Sequence, residues 1–304
     1  MYTLYTKKGC NYCKKAIEHL EKKKQKYKVI EVTDNNRTKI YEKIDSKTNN
    51  YRYFPVIFKG NKFMGGYTEL INDIIIPDGN KVTNTSFKGN PEYNLKVMKY
   101  LACKYDKVCV VIPDVRLKKS LKQSEVSLRW NEEDVDGYIS IPKGFWEALG
   151  KCKGKKRFIM FPFGFTCLDG TGHANYMIYD YKTKNIERFE PYGYKPNKCI
   201  NAPGLDDTIY NLLKEKWEIN NYYKPLDFMP KIGPQTIQKS EKAEKDNDPV
   251  GFCSVWVAWY ADLRLANPDI PRDEIIKRAT EELKVRPETF TEFIRNYSSV
   301  YITK

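Results

Sequence analysis

The sequence predicts a two-domain α/β protein, and three observations carry that expectation. Strand and helix patterns alternate over residues 1–78 around a Cys-Asn-Tyr-Cys tetrapeptide at Cys10 and Cys13. The turn formers Ile76-Pro77-Asp78-Gly79-Asn80 then close that unit. Further on, a strand hairpin from Gly172 and a strongly apolar helix from Cys253 mark a second core, and 304 residues are enough for two cores. The expected domains are 1–78 and 79–304, with 79–90 as a linker or extension.

In the first domain Tyr2-Thr3-Leu4-Tyr5 reads as a short strand. Residues 11–24 read as a helix with Cys13, Ala16, Ile17 and Leu20 on one face and His19 on the wetter side. A strand over 27–33 and a helix over 35–46 follow. Tyr53-Phe54-Pro55-Val56-Ile57-Phe58 pairs with Lys62-Phe63-Met64 through a Lys59-Gly60-Asn61 turn. Pro55 stands at a strand start, where proline is tolerated, and its peptide bond is a candidate cis site. Gly65-Gly66 permits a tight turn into a helix that Thr68 can cap.

Two thiols spaced two residues apart, the first opening a helix, suit thiol–disulfide exchange. The helix N-terminus and nearby lysines favour the first thiolate, and the second lies one turn on to resolve a mixed disulfide. A lone Cys-x-x-Cys is also half of a zinc site. The chain has no second such pair and no His-x-x-x-His, so no metal is expected.

With Lys7 three residues before Cys10, Tyr12 inside the motif, the x-Pro strand and the Gly-Gly turn, residues 1–78 resemble glutaredoxin. The resemblance implies a thioredoxin-like fold, Cys10 as nucleophile, Cys13 as resolving thiol, and glutathione as reductant. It also implies disulfide or glutathionylated protein clients, and a tripeptide held by Lys7, Tyr12, the Phe54-Pro55 backbone, Gly66, Thr68 and Glu69. Asn11 stands where the family usually has proline and Phe54 where it usually has valine; both bear on redox potential and substrate preference.

In the second domain residues 91–105 read as a helix and Val108-Cys109-Val110-Val111-Ile112 as a buried strand. Residues 115–135 read as a charged loop, 142–150 as a short helix, and Arg157-Phe158-Ile159-Met160-Phe161 as a strand. The strand from Gly172 to Asp180 turns back through 182–185 into Ile186 to Pro191. Such a hairpin brings His173 near Glu190, an arrangement that orients an imidazole. Cys253 opens the apolar helix Ser254 to Leu263, where the backbone dipole favours a thiolate, and a Cys–His pair with an acidic orienter suits attack on a carbonyl. Taken singly, a cysteine on an apolar helix and a histidine on a strand are more often structural.

Together, His173, Asp180, Glu190, Gly193, Gln235, Gly251 and Cys253 resemble the cysteine peptidases of the SUMO-specific and adenovirus-protease group, over about residues 155–265. The resemblance implies an α+β papain-like fold, Cys253 as nucleophile, His173 as general base, Glu190 as orienter, Gln235 as oxyanion donor and a polypeptide substrate, viral or ubiquitin-like. Ser254 and Ala174 depart from the family's usual glycine and aromatic residue. Gln235 lies far from Cys253, which makes 238–249 an inserted loop and Gln238 a competing donor. Large DNA viruses use such peptidases on virion proteins, and a chain rich in Lys, Asn, Ile and Tyr suits an AT-rich genome. The alternative is a glutaredoxin with an inactive C-terminal protein-binding or virion-structural domain.

The net charge of +14 comes from dispersed lysines, read as solvated faces with weak polyanion or DNA contact as the sharper alternative. No apolar run long enough to span a membrane and no signal sequence is read, so a soluble protein of the host cytoplasm or virion is expected. Eight unevenly spaced cysteines fit a reducing compartment, with Cys103, Cys109, Cys152, Cys167 and Cys199 expected as free or core thiols.

Overall fold

A computed structural model describes residues 1–83, 87, 89–113, 122–133, 137–195, 199–246, 248–249 and 251–301. The chain divides into two compact units, Met1–Ile75 and Ile76–Lys304.

The N-terminal unit runs β1 (Tyr2–Thr6), α1 (Asn11–Lys22), β2 (Tyr27–Glu31), α2 (Arg37–Thr48), β3 (Val56–Lys59), β4 (Lys62–Gly65) and α3 (Tyr67–Ile71). The sheet order is β2-β1-β3-β4, with β1 parallel to β2 and antiparallel to β3. Alternation along the strands feeds two cores. Tyr2, Leu4 and Ile57 meet Ala16, Leu20 and Leu70 on one face, while Tyr5, Val56 and Phe58 meet Ile44 on the other. Thr68 does not cap α3. The cap falls two residues earlier than expected, at Gly66, and the Glu69 carboxylate accepts the Gly66 N–H at 2.7 Å.

The C-terminal unit comprises α4 (Pro91–Lys104), β5 (Val108–Val110), β6 (Leu128–Asn131), β7 (Tyr138–Ser140), α5 (Phe145–Cys152), β8 (Phe158–Thr166), β9 (Gly172–Asp180), β10 (Asn185–Phe189), α6 (Leu205–Lys214), β11 (Asn221–Tyr223), α7 (Pro225–Phe228), α8 (Pro234–Ser240), α9 (Cys253–Ala266), α10 (Arg272–Lys284) and α11 (Phe290–Ser298). Its mixed sheet has the order β11-β10-β9-β8-β6-β7, and β5 pairs with the first part of β8. One face buries Phe161, Phe163, Phe165, Met177 and Tyr179 against Phe145, Leu149, Leu205 and Ile209 of α5 and α6. The residues of α9 from Ser254 to Ala266 are all buried, as expected of a helix apolar on every side.

Polar anchors fix α9 against β10. Tyr260 stacks on Phe189 with ring centroids 4.0 Å apart. Glu187, buried, accepts from Tyr260 Oη at 2.8 Å and Arg272 Nε at 2.8 Å and pairs with Arg264. Burial alone would raise the Glu187 pKa, but the two guanidiniums hold it below the usual carboxylate value.

Several expectations change. Residues 115–135 are not all loop. Leu128–Asn131 joins β8 in parallel, while 114–121 and 134–136 lie outside the described residues. Within the expected 79–90 linker or extension, Asn80 N donates to Ser299 Oγ and Val82 N to Asn296 Oδ1, and Asp78, just before it, pairs with Arg286. The expected free thiols Cys109 and Cys152 form a disulfide, as do Cys167 and Cys199, leaving Cys103 and Cys253 free beside the Cys10–Cys13 pair. Strand β5 and the end of α5 bring the first of these pairs together across 43 residues, a proximity created by packing. No helix among the described residues is long and apolar enough to cross a membrane.

Candidate functional sites

In the N-terminal unit Cys10 is the N-cap of α1, and its Sγ accepts the Cys13 N–H at 3.1 Å. Cys13 is buried and Cys10 partly exposed, an asymmetry that lets one sulfur meet a client and keeps the other back. The two are joined in a disulfide, the oxidised form of the dithiol. Lys7 Nζ lies 5.8 Å from the centroid of the Phe54 ring, and Tyr12, 59% exposed, leans on Tyr67 beside Gly66. The Phe54–Pro55 bond is cis. Thr68 and Glu69 are exposed on the first turn of α3, with the Glu69 carboxylate occupied at Gly66.

In the C-terminal unit the nine-residue strands β8 and β9 set Phe165 opposite His173, and the hairpin with β10 carries Glu190 back beside it. His173 Nε2 lies 2.8 and 3.0 Å from the two Glu190 oxygens. The buried Glu190 carboxylate also accepts Asn175 Nδ2 at 2.7 Å and Tyr192 N at 2.8 Å. Asn175 is held in turn by Arg188, whose fully buried guanidinium donates to Asn175 Oδ1 at 2.9 Å and forks onto Asp206 at 2.7 and 2.9 Å. Tyr192 stacks on the imidazole with centroids 5.0 Å apart.

Cys253 enters from the first turn of α9, partly exposed, close enough to His173 and the Ala174 N–H for both to act on its ionisation. Burial opposes ionisation of both groups but does not prevail. The Glu190 carboxylate and the Cys253 sulfur raise His173 to about 10, and the imidazole lowers the Cys253 thiol. This favours a thiolate–imidazolium pair, which can attack a carbonyl and then protonate a leaving group.

Gln235, buried in the first turn of α8, donates from Nε2 to Tyr192 Oη at 3.3 Å, and a side chain at Gly251 would begin 3.6 Å from that nitrogen. It lines the same cavity as Cys253 and His173, a space of about 1160 Å³. Gln238 points its nitrogen at Glu244 instead, at 2.9 Å, and α8 continues to Ser240 where an inserted loop was expected from 238. Gly193, at φ +96°, packs where a Cβ would meet Pro230 O at 2.5 Å, and Gln235 N donates to Pro191 O at 3.0 Å, so the 190–193 turn seats the start of α8.

Asn175, Arg188 and Tyr192 were missed in the sequence. Only Asn175 left a signal there, two residues from His173 and so on the same strand face. Among the described residues Glu132, Cys167 and Cys199 lie close enough to share a metal ion, but the two sulfurs are bonded to each other.

The fold and the dithiol define the N-terminal unit as a glutaredoxin domain of thioredoxin-like fold, and residues 2–64 match the glutaredoxin family model. The C-terminal unit sets a cysteine-headed buried helix against a histidine-bearing sheet. The chain is 30% identical over 261 residues to a protein of Acanthamoeba polyphaga mimivirus described as an ankyrin repeat protein. That match takes in 75% of this chain and 32% of the relative, so the chain spans about a third of the protein it matches. Among solved structures, glutaredoxin C1 from Populus tremula x tremuloides is similar at 24% identity, over 23% of this chain and 70% of that one, with a TM-score of 0.20. The SUMO protease Ulp1 is similar at 12% identity, over 72% of this chain and 78% of that one, with a TM-score of 0.33.

Proposed function

We propose that the chain joins a glutathione-dependent thiol–disulfide oxidoreductase to a cysteine peptidase. The observation that carries the second activity is the convergence of Cys253 and the His173–Glu190 pair on one cavity large enough for a peptide segment. In this reading the Cys253 thiolate attacks the scissile carbonyl, His173 delivers the proton to the leaving amine, and Glu190 keeps the ring oriented and charged. Gln235 Nε2 and the first N–H groups of α9 are the donors for the oxyanion.

In the first domain the Cys10 thiolate attacks a client disulfide, and Cys13 displaces the client and leaves the Cys10–Cys13 disulfide. Two glutathione thiols supply the electrons that restore the dithiol. Lys7, the exposed Tyr12 and the Phe54-Pro55 backbone would hold the tripeptide. Thr68 lies on the adjacent turn, and Glu69 acts there by fixing the Gly66 loop. The mimivirus relative supports a viral setting; in this reading the protein acts in host cytoplasm or virion on a viral or ubiquitin-like polypeptide.

The test is a thiol-reactivity map with limiting iodoacetamide on reduced protein, read by peptide mass spectrometry in wild type and His173→Ala. Cys10 and Cys253 should be the two fast sites, and Cys253 alone should slow in the variant. A silent Cys253 in the wild type would leave a glutaredoxin with an inactive partner domain.

A further inference from the structure

The cavity that holds Cys253 and His173 also holds a cation that the relay does not use. Arg129 of β6 lies opposite Gly164 of β8 in the parallel register, and its side chain lies against that glycine. A Cβ at Gly164 would meet Arg129 Nη1 at 2.8 Å, and one at Gly172 would lie 3.9 Å from Nη2, so two glycines make the floor on which the guanidinium rests. Nη1 donates to Phe165 O at 2.8 Å, which fixes the plane of the fork.

No carboxylate among the described residues pairs with Arg129, whereas Arg157, Arg188, Arg264, Arg272 and Arg295 all have one. Burial disfavours its charge, yet a guanidinium stays protonated. A partly desolvated, oriented guanidinium with spare N–H donors is matched by an anion of planar, two-oxygen geometry.

We propose that Arg129 is a carboxylate-binding subsite of the Cys253 cavity, so that the substrate polypeptide places an acidic group over Gly164 and Gly172. This rests on the peptidase reading for its biological meaning. The carboxylate has two sources, an Asp or Glu side chain or a free chain terminus.

The experiment separates the subsite from the peptidase activity by using Cys253 itself as reporter. Reduced protein is alkylated with matched iodoacetyl-glutamate and iodoacetyl-glutamine, each as free acid and as carboxamide, and the rates at Cys253 and Cys103 are read by mass spectrometry. The expected ratio of acidic to neutral reagent at Cys253 exceeds that at Cys103 by about tenfold, the effect of one charge-assisted contact. Arg129→Gln should collapse the ratio, and Arg129→Glu should invert it.

Selectivity for glutamate carboxamide assigns a side-chain carboxylate; selectivity for the glutamine free acid assigns a terminal one. Equal ratios at Cys253 and Cys103 in wild type, or a ratio that persists in folded Arg129→Gln, would overturn the proposal. Quenched peptides differing only by Glu or Gln at each position then test the peptidase reading separately. No cleavage together with charge-selective labelling removes that reading and leaves the subsite standing; cleavage with no acid preference removes the subsite alone.

Discussion

Replacing Glu190 with Gln keeps the side chain's size but removes a negative charge 2.8 Å from His173 Nε2. At an effective dielectric near 20, opposite charges at that separation attract by roughly 6 kcal/mol. Raising His173 from 6.5 to about 10 corresponds to roughly 5 kcal/mol in favour of the imidazolium, so the attraction outweighs the burial that opposes it. In the variant burial acts without that counterweight, and His173 should titrate far below its wild-type value.

The Cys253 thiol, lowered by the imidazole, should then rise. The assay is the rate of Cys253 alkylation by iodoacetamide between about pH 5 and 10, where an ordinary thiol titrates near 8.5. Wild type should react well below the ordinary thiol range, and the rate should fall as acid neutralises the thiolate. In Glu190→Gln the inflection should move upward, with a loss of at least about tenfold near pH 6. A superimposable profile in a variant with an unchanged urea midpoint would refute the relay.

Gly193→Ala should cost about 1–3 kcal/mol, read as a lower urea midpoint, because its Cβ would press on Pro230 O at 2.5 Å from a left-handed backbone. Glu187→Ala should destabilise by about 3–5 kcal/mol in the same assay, since it leaves the Arg264 and Arg272 guanidiniums beside an empty buried site. Under oxidising conditions, Cys167→Ser should lose about 3.7 kcal/mol and Cys109→Ser about 4.0 kcal/mol, from loops of 32 and 43 residues. Reductant should erase both differences.

The local part of the protein was legible in its residues. Cys10 at a helix start, alternation in Tyr2 to Tyr5 and the turn at Gly65-Gly66 report backbone geometry over a few positions, so the first sheet and its dithiol follow from spacing. The same holds for His173 and Glu190, which a single hairpin brings together, and for Cys253 at the head of an apolar helix.

Thr68 shows where that reading stops: a helix start was visible, but whether Gly66 or Thr68 takes the cap depends on where the Glu69 carboxylate is free to fold. Leu128–Asn131 is a second case, because its strand is defined by pairing with β8 and carries charged neighbours that read as loop.

By itself the sequence determined which chemical groups exist and which local elements carry them: a dithiol on one helix, a thiol on another, and an imidazole and a carboxylate on one hairpin. Tertiary structure alone decided which groups share a cavity. It brought α9 to His173, placed Gln235 rather than Gln238 in the cavity with Cys253, tied Arg188 through Asn175 to Glu190, joined Cys109 to Cys152, and left Arg129 without a carboxylate partner among the described residues. The physical reason is that hydrogen bonds, disulfides and charge pairs depend on separations of a few ångströms in space, and only the packed core fixes those for residues tens of positions apart.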